Sequence, residues 1–248
     1  MDIAMRHEPA RPAAPGADRL AALDWAAVSA ALDGQGWAVL GALITPEECR
    51  ATAGLYEDAA RFRSKVVMAR HGFGSGEYQY FGYPLPDLVA ALRGALYRRL
   101  APIANRWNEM MGIGVRYPAE HAAFLERCHA AGQTRPTPLL LRYRTGDYNC
   151  LHQDVYGEHV FPLQATVLLS RPDADFRGGE FVLTEQRPRM QSRAAVVPLC
   201  QGDAVVFAVR QRPAQGARGV FRAVMRHGVS PLRSGHRHTL GIIFHDAA

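Results

Sequence analysis

The spacing of apolar positions divides the chain into a helical first half and a strand-rich second half. From Leu20 to Leu32 apolar residues recur at helical intervals, and Gly34 and Gly36 end the run. Trp37 to Ile44 reads as a strand. Thr45-Pro46-Glu47-Glu48 then sets a capping hydroxyl, a proline at the first helical position and a glutamate three residues after the cap, which predicts a helix to about Ala60. Residues 71–86 hold four glycines and the aromatics Phe73, Tyr78, Tyr80, Phe81 and Tyr83, and close on Pro84 and Pro86. This stretch reads either as a lid over a substrate or as an irregular connection packed on the core. Helices are predicted around 87–111 and 118–131. From Pro138 onward short β-like runs alternate with turn residues, near 138–144, 160–169, 179–184, 194–199, 203–209, 220–230 and 238–245. Seven or eight short strands in about 110 residues predict a sandwich or barrel-like jelly roll. The expected fold is mainly β with N-terminal helices buttressing that roll. Residues 1–18, rich in Pro, Ala and Arg, read as a disordered tail. Residues 19–248 read as a single domain, with 19–134 as helical support and lid region and 135–248 as the β core.

Composition narrows the class. Hydrophobic residues make up 48% and charged residues 21%, the balance of a globular protein in water. No apolar run approaches the ~20 residues of a membrane-spanning helix, and the N-terminus lacks the basic-then-apolar pattern of a secretory signal. Cys49, Cys128, Cys150 and Cys200 lie far apart and form no C-x-x-C pair, the pattern of reduced thiols in a cytoplasmic protein. The net charge of +6 arises entirely beyond residue 134, where nearly every basic residue is Arg. That asymmetry fits either a generally Arg-rich chain or an anionic partner.

The chemistry centres on His152-Gln153-Asp154. Alternate residues of an extended chain point to one side, so this step aims an imidazole and a carboxylate at one point. His227, in the late run Val224 to Val229, supplies a second imidazole. Two His and one carboxylate on one face of an octahedron leave three positions open, the arrangement of non-haem Fe(II) oxygenases. His159 and the His245-Asp246 pair are rival ligands. Ten residues after His227 comes Arg237, and Thr239 lies two further on, facing the same way along a strand. An Arg in such dry surroundings can grip the distal carboxylate of a 2-oxoacid in bidentate fashion, with a hydroxyl assisting. Tyr143, nine residues before His152, can reach the same co-substrate. Gly178-Gly179-Glu180-Phe181 also spells a diguanylate cyclase signature, but that motif belongs in an α/β hairpin rather than an all-β region.

The order H-x-D, distal His, then R-x-T resembles the double-stranded β-helix Fe(II)/2-oxoglutarate dioxygenases over roughly residues 138–246. Leu141-Arg142-Tyr143 resembles the co-substrate strand of AlkB-like nucleic-acid dioxygenases, although those carry Asn where this chain has Leu141 and a second Arg where it has Ile243. The single late Arg and the Gly178-Gly179-Glu180-Phe181 turn resemble prolyl hydroxylases. The runs Thr184–Arg193 and His238–Asp246 resemble a bacterial family of oxygenases described as acting on damaged nucleic acid. The resemblance implies Fe(II), 2-oxoglutarate and O2 as cofactor and co-substrates, and C–H hydroxylation coupled to 2-oxoglutarate decarboxylation. On an N-alkyl base the hydroxylated carbon would leave as an aldehyde. For a nucleic-acid substrate, Tyr78 and Tyr80 would stack a base. Arg187, Arg189 and Arg193, with Arg210, Arg212, Arg218 and Arg222, would grip phosphates. A prolyl or other protein substrate is the alternative. A non-enzymatic cupin-like sensor is the third reading, which the intact ligand set disfavours.

Overall fold

The structure is a computed structural model describing residues 17–217 and 219–248. Residues 1–16 of the expected tail, and Arg218, lie outside the described residues. Five helices precede the main run of strands: α1 (Ala17–Ala22), α2 (Trp25–Gln35), α3 (Pro46–Gly54), α4 (Asp87–Met110) and α5 (His121–Ala130). Interleaved with them are β1 (Trp37–Leu40), β2 (Phe62–Val67), β3 (Gly74–Ser75) and β4 (Glu77–Phe81). Ten further strands follow: β5 (Leu139–Arg144), β6 (Tyr148–His152), β7 (Leu163–Leu168), β8 (Phe176–Gly178), β9 (Phe181–Gln186), β10 (Arg193–Val197), β11 (Ala204–Ala208), β12 (Gln211–Gly216), β13 (Gly219–Val229) and β14 (Leu232–Ile242).

The strands form two antiparallel sheets. The larger runs β1-β11-β7-β14-β5-β4-β2, with β8 beside β14; the smaller runs β10-β9-β13-β6-β3, with β12 beside β13. Strand periodicity sorts the side chains of the larger sheet. On its outer face Ala165 and Val167 of β7 and Leu240 and Ile242 of β14 share one core with Leu92, Leu96, Leu100 and Trp107 of α4. Full burial of each such side chain is worth roughly 1.5–3 kcal/mol, so the helical layer clamps the sheet from behind. On the inner face the same strands present Gln164, Thr166, Arg237 and Thr239 to a cavity whose opposite wall is the smaller sheet. Because both faces are covered, β7 is buried at every position.

Three expectations need correction. The stretch 71–86 contains two strands: short β3, and β4, which pairs with β5 on one side and β2 on the other, burying Tyr80 and Phe81. Its alternation is hidden because both of its faces carry large aromatic or polar groups. The helix after Thr45 has the expected capping box, with Thr45 Oγ1 accepting from Glu48 N at 3.2 Å. It ends at Gly54 rather than near Ala60, and single turns stabilised by Asp58 lead into the unexpected β2. β12 also escaped the pattern. It pairs only with β13, so Pro213 sits on an edge strand where a missing N–H costs little.

The C-terminal segment is locked by a buried ion pair. Arg93 of α4 reaches Asp246 at 2.7 Å and donates to the carbonyls of Ile243 and His245. Tyr83 and His129 also bond the Asp246 carboxylate, each at 2.8 Å. The Asp246 carboxylate of the rival ligand pair is thereby consumed in structure, while His245 Nδ1 accepts from Phe161 N–H at 3.2 Å.

Candidate active site

His152 ends β6 and lies directly across from His227 on β13, so the cross-strand register of the smaller sheet brings the two imidazoles together. Their ring centroids are 4.2 Å apart. Asp154, two residues beyond His152, places Oδ1 3.5 Å from His152 Nε2 and Oδ2 3.4 Å from His227 Nε2. The three ligand atoms lie within 4.8 Å of one another, the one such cluster of three or more among the described residues. His152 Nδ1 is 2.8 Å from the Cys150 carbonyl, so that nitrogen carries a proton and Nε2 is the one that faces the site shared with Asp154 and His227. Phe207 and Phe181 flank the His227 ring, at 4.6 Å and 5.9 Å.

Charge follows this geometry. Burial alone would raise the Asp154 carboxyl, but hydrogen bonds and charge from both imidazoles hold it well below the ordinary carboxylate range. Burial, reinforced by the charge of His152, lowers His227. Burial also opposes protonation of His152, but Asp154 outweighs it and raises that imidazole. A carboxylate and two imidazoles converging through Nε2 are the donors an Fe(II) ion takes, and they would hold one here.

The triad opens onto a cavity of about 350 Å³ walled by both sheets. Arg237 reaches it from β14 and is 1% exposed, with Nε and Nη1 lacking a hydrogen-bond partner among the described residues. Its guanidinium lies 5.5 Å from the Tyr143 ring and 5.8 Å from that of Phe176. Burial pushes its pKa down to about 10, despite Tyr143 and Glu180, so the group stays cationic at neutral pH. A buried cation without an acceptor is costly unless an anion completes it. Thr239 shares the cavity face, and so does Tyr143, whose phenol burial raises to about 12 and thereby keeps it a donor. Gly179 makes room for this seat. At φ +63°, a Cβ there would stand 2.2 Å from Leu232 Cδ1 and 3.1 Å from Arg237 Cδ.

Tyr78 and Tyr80 line the cavity, as do Phe73 and Leu151, each 47% exposed and therefore at its rim. Arg187, Arg189 and Arg193 do not line it. Arg187 and Arg193 instead pair with Glu185, which also binds the buried Arg212. Arg222 donates to the Met111 carbonyl. Arg189 and Arg210 are exposed and free of ion pairs among the described residues. Sequence reasoning missed Tyr156, Asn149, Gln164 and Thr166 on the cavity wall. Tyr156 continues the alternate spacing of His152 and Asp154, and Gln164 and Thr166 form a polar alternation inside an apolar strand. Both signals were present.

A metal triad on the small sheet of a jelly roll, beside an unpaired buried Arg, defines the class: this is an Fe(II)- and 2-oxoglutarate-dependent oxygenase. Residues 76–247 match the family described as an oxygenase catalysing oxidative methylation of damaged DNA, and the chain belongs to that family. An uncharacterized protein of Mycobacterium tuberculosis (strain ATCC 25618 / H37Rv) is 50% identical over 168 residues, covering 68% of this chain and 72% of that protein. Among solved structures, a 2OG-Fe(II) oxygenase family oxidoreductase from Burkholderia pseudomallei aligns with a TM-score of 0.54 at 18% identity, over 92% of this chain and 94% of the other. A prolyl-4-hydroxylase from Pseudomonas putida aligns at 0.52 and 18% identity, over 88% and 96%. At that identity these two likenesses concern the fold.

Proposed function

We propose that the protein oxidises an alkylated or otherwise damaged base of a nucleic acid. The observation that carries this reading is the aromatic wall beside the triad, in a chain whose family is described as acting on damaged DNA. Tyr78, Tyr80 and Tyr156 line the cavity, and at the rim Phe73 stacks on His71 with centroids 5.3 Å apart. Such rings suit an unstacked base, because every base offers a π-face. The excess positive charge beyond residue 134 favours an anionic partner, and Arg189 and Arg210 are among the exposed cations there that make no ion pair among the described residues.

In this reading Arg237 binds the distal carboxylate of 2-oxoglutarate, with Thr239 and Tyr143 donating to it. The apolar walls exclude water from that pair. Bound iron and 2-oxoglutarate together supply the oxidising power, spending O2 and releasing succinate and carbon dioxide. The helical part and the β core act as one domain, since Tyr78 and Tyr80 of the first complete a cavity built by the second. No helix among the described residues is long and apolar enough to cross a membrane. A cytoplasmic setting agrees with four free thiols.

Peptide hydroxylation is the second reading. Its support is Glu185, which engages Arg187, Arg193 and Arg212 and so partly offsets the charge that would otherwise grip phosphates. The test is succinate release by anaerobically iron-loaded protein, given O2 with N-alkylated oligonucleotides or with peptide pools. Oligonucleotide-dependent release is expected, together with binding that weakens as salt rises, by a log–log slope of about 0.9 for each phosphate contact. Peptide-dependent release without salt-sensitive binding of oligonucleotides would replace the first reading by the second.

A further inference from the structure

The metal carboxylate has a partner of its own. Tyr156 Oη donates to Asp154 Oδ1 at 2.7 Å, and Tyr80 Oη donates to Tyr156 Oη at 3.2 Å. The two bonds run in one direction, Tyr80 to Tyr156 to Asp154, so each phenol proton has an acceptor. Behind them the Arg63 guanidinium lies 4.6 Å from the Tyr80 ring, and the Tyr78 ring meets it edge-on at 5.4 Å. Among the described residues Asp154 Oδ2 has no such donor; its near neighbour is the His227 imidazole, as His152 Nε2 is that of Oδ1 at 3.5 Å.

The backbone carrying Tyr156 is fastened independently of the phenol. Gln133, 1% exposed, donates through Nε2 to the Tyr156 and His159 carbonyls, each at 3.2 Å, and to the Asp246 carbonyl at 2.6 Å. Its Oε1 accepts from His159 N at 2.7 Å. Gly157, at φ +81°, lets the loop pass over that amide, where a Cβ would come within 2.4 Å of Gln133 Cδ. The loop is thus tied to α5 and the C-terminal segment, and the phenol is held where the carboxylate needs it.

We propose that Tyr156 is a positioning residue for the metal ligand Asp154: its phenol engages Oδ1 so that Oδ2 is the oxygen left to ligate, and Tyr80 keeps the Tyr156 hydroxyl in line. A carboxylate free to rotate could offer both oxygens and take up a position the open sites need. Hydrogen-bonded partners of metal ligands commonly contribute 10–100-fold in metal affinity. The argument rests on the triad and is indifferent to which substrate the enzyme takes.

The test uses the full chain loaded with Co(II), whose visible absorption reports ligand number and geometry without turnover. In Tyr156→Phe, which keeps the ring, the Co(II) dissociation constant should rise about tenfold or more and the absorption should shift as the carboxylate becomes two-oxygen-bound. Tyr80→Phe should move both in the same direction by less. Tyr148→Phe, at an exposed tyrosine that does not line the cavity, should leave both unchanged. Melting of the metal-free Tyr156→Phe protein, followed by circular dichroism, separates ligand positioning from loss of fold. The proposal is overturned if folded Tyr156→Phe binds Co(II) with wild-type affinity and spectrum, or if Tyr148→Phe produces the same loss and shift. Failure of wild-type protein to bind Co(II) would overturn the metal centre itself, a distinct result.

Discussion

Replacing Arg237 by Met should make the protein more stable and cost it its co-substrate. Arg237 is a buried cation with two nitrogens unpaired, and its neighbours are the rings of Tyr143 and Phe176 rather than a carboxylate. Substituting an apolar side chain of similar volume for a buried charge typically stabilises by about 1–4 kcal/mol. Taking about 2 kcal/mol, and about 2–4 °C for each kcal/mol in a chain of this size, the ligand-free variant should melt about 4–8 °C above wild type. The order then inverts on adding 2-oxoglutarate. Wild type with bound metal gains about 2.7 kcal/mol at a hundredfold excess over its dissociation constant. The variant, losing a desolvated charged pair worth roughly 2–5 kcal/mol, should bind at least about 30-fold more weakly and so gain no more than about 0.9 kcal/mol at that concentration. Calorimetric melting of anaerobic iron-loaded protein, with and without 2-oxoglutarate, measures both halves. If Arg237→Met melts below wild type without ligand and still rises with 2-oxoglutarate, the reasoning fails at both points.

His227→Ala should abolish metal binding, read by iron retention after desalting, whereas His129→Ala should leave it intact although Asp246 loses a partner; the reverse result would move the metal to the C-terminal segment. Gln164, 3% exposed on the cavity wall with Oε1 unpaired, should on replacement by Leu raise denaturant-derived stability by about 1 kcal/mol while slowing turnover; lower stability would mean that the amide is already satisfied. Acid should unfold the protein through histidines held neutral. Burial, aided by the Arg93 charge, pulls both His121 and His245 down to about 4. The unfolded chain therefore binds more protons below pH ~6.5, and stability should be full above that pH and fall as pH drops toward 4, by on the order of 3 kcal/mol for each group. A denaturation midpoint that stays flat from pH 7 to 4.5 would contradict this.

The ligand set was legible because strand geometry imposes a period of two and because iron chemistry restricts the donors: His152, Asp154 and His227 follow from spacing and residue type. Arg237 and Thr239 were legible for the same reason, as polar groups at i and i+2 beside an apolar run. What stayed hidden depends on pairing between distant strands. β4 reads as loop because Tyr78, Gln79, Tyr80 and Phe81 show no contrast between faces, and its partners β2 and β5 lie far along the chain in opposite directions. The fate of the arginines was equally illegible, since Glu185 meets Arg187, Arg193 and Arg212 only once β9 has β10 and β13 on either side and β12 pairs with β13. Tyr156 could have been read from its spacing to Asp154, but its hydrogen bond needs Tyr80 from the other half of the chain.

The strand that carries Arg237 is also the hinge pin of assembly. β14 lies between β7 and β5, joining the β1-β11-β7 half of the larger sheet to the β5-β4-β2 half. A ribosome delivers it after every other strand, so during synthesis the two halves wait with unpaired edges facing each other across a gap one strand wide. Such edges invite pairing with other chains. The chain's exposure to misassembly is therefore concentrated in the interval before residues 232–242 emerge, and insertion of the strand carrying Arg237 closes the sheet and builds the pocket in one event.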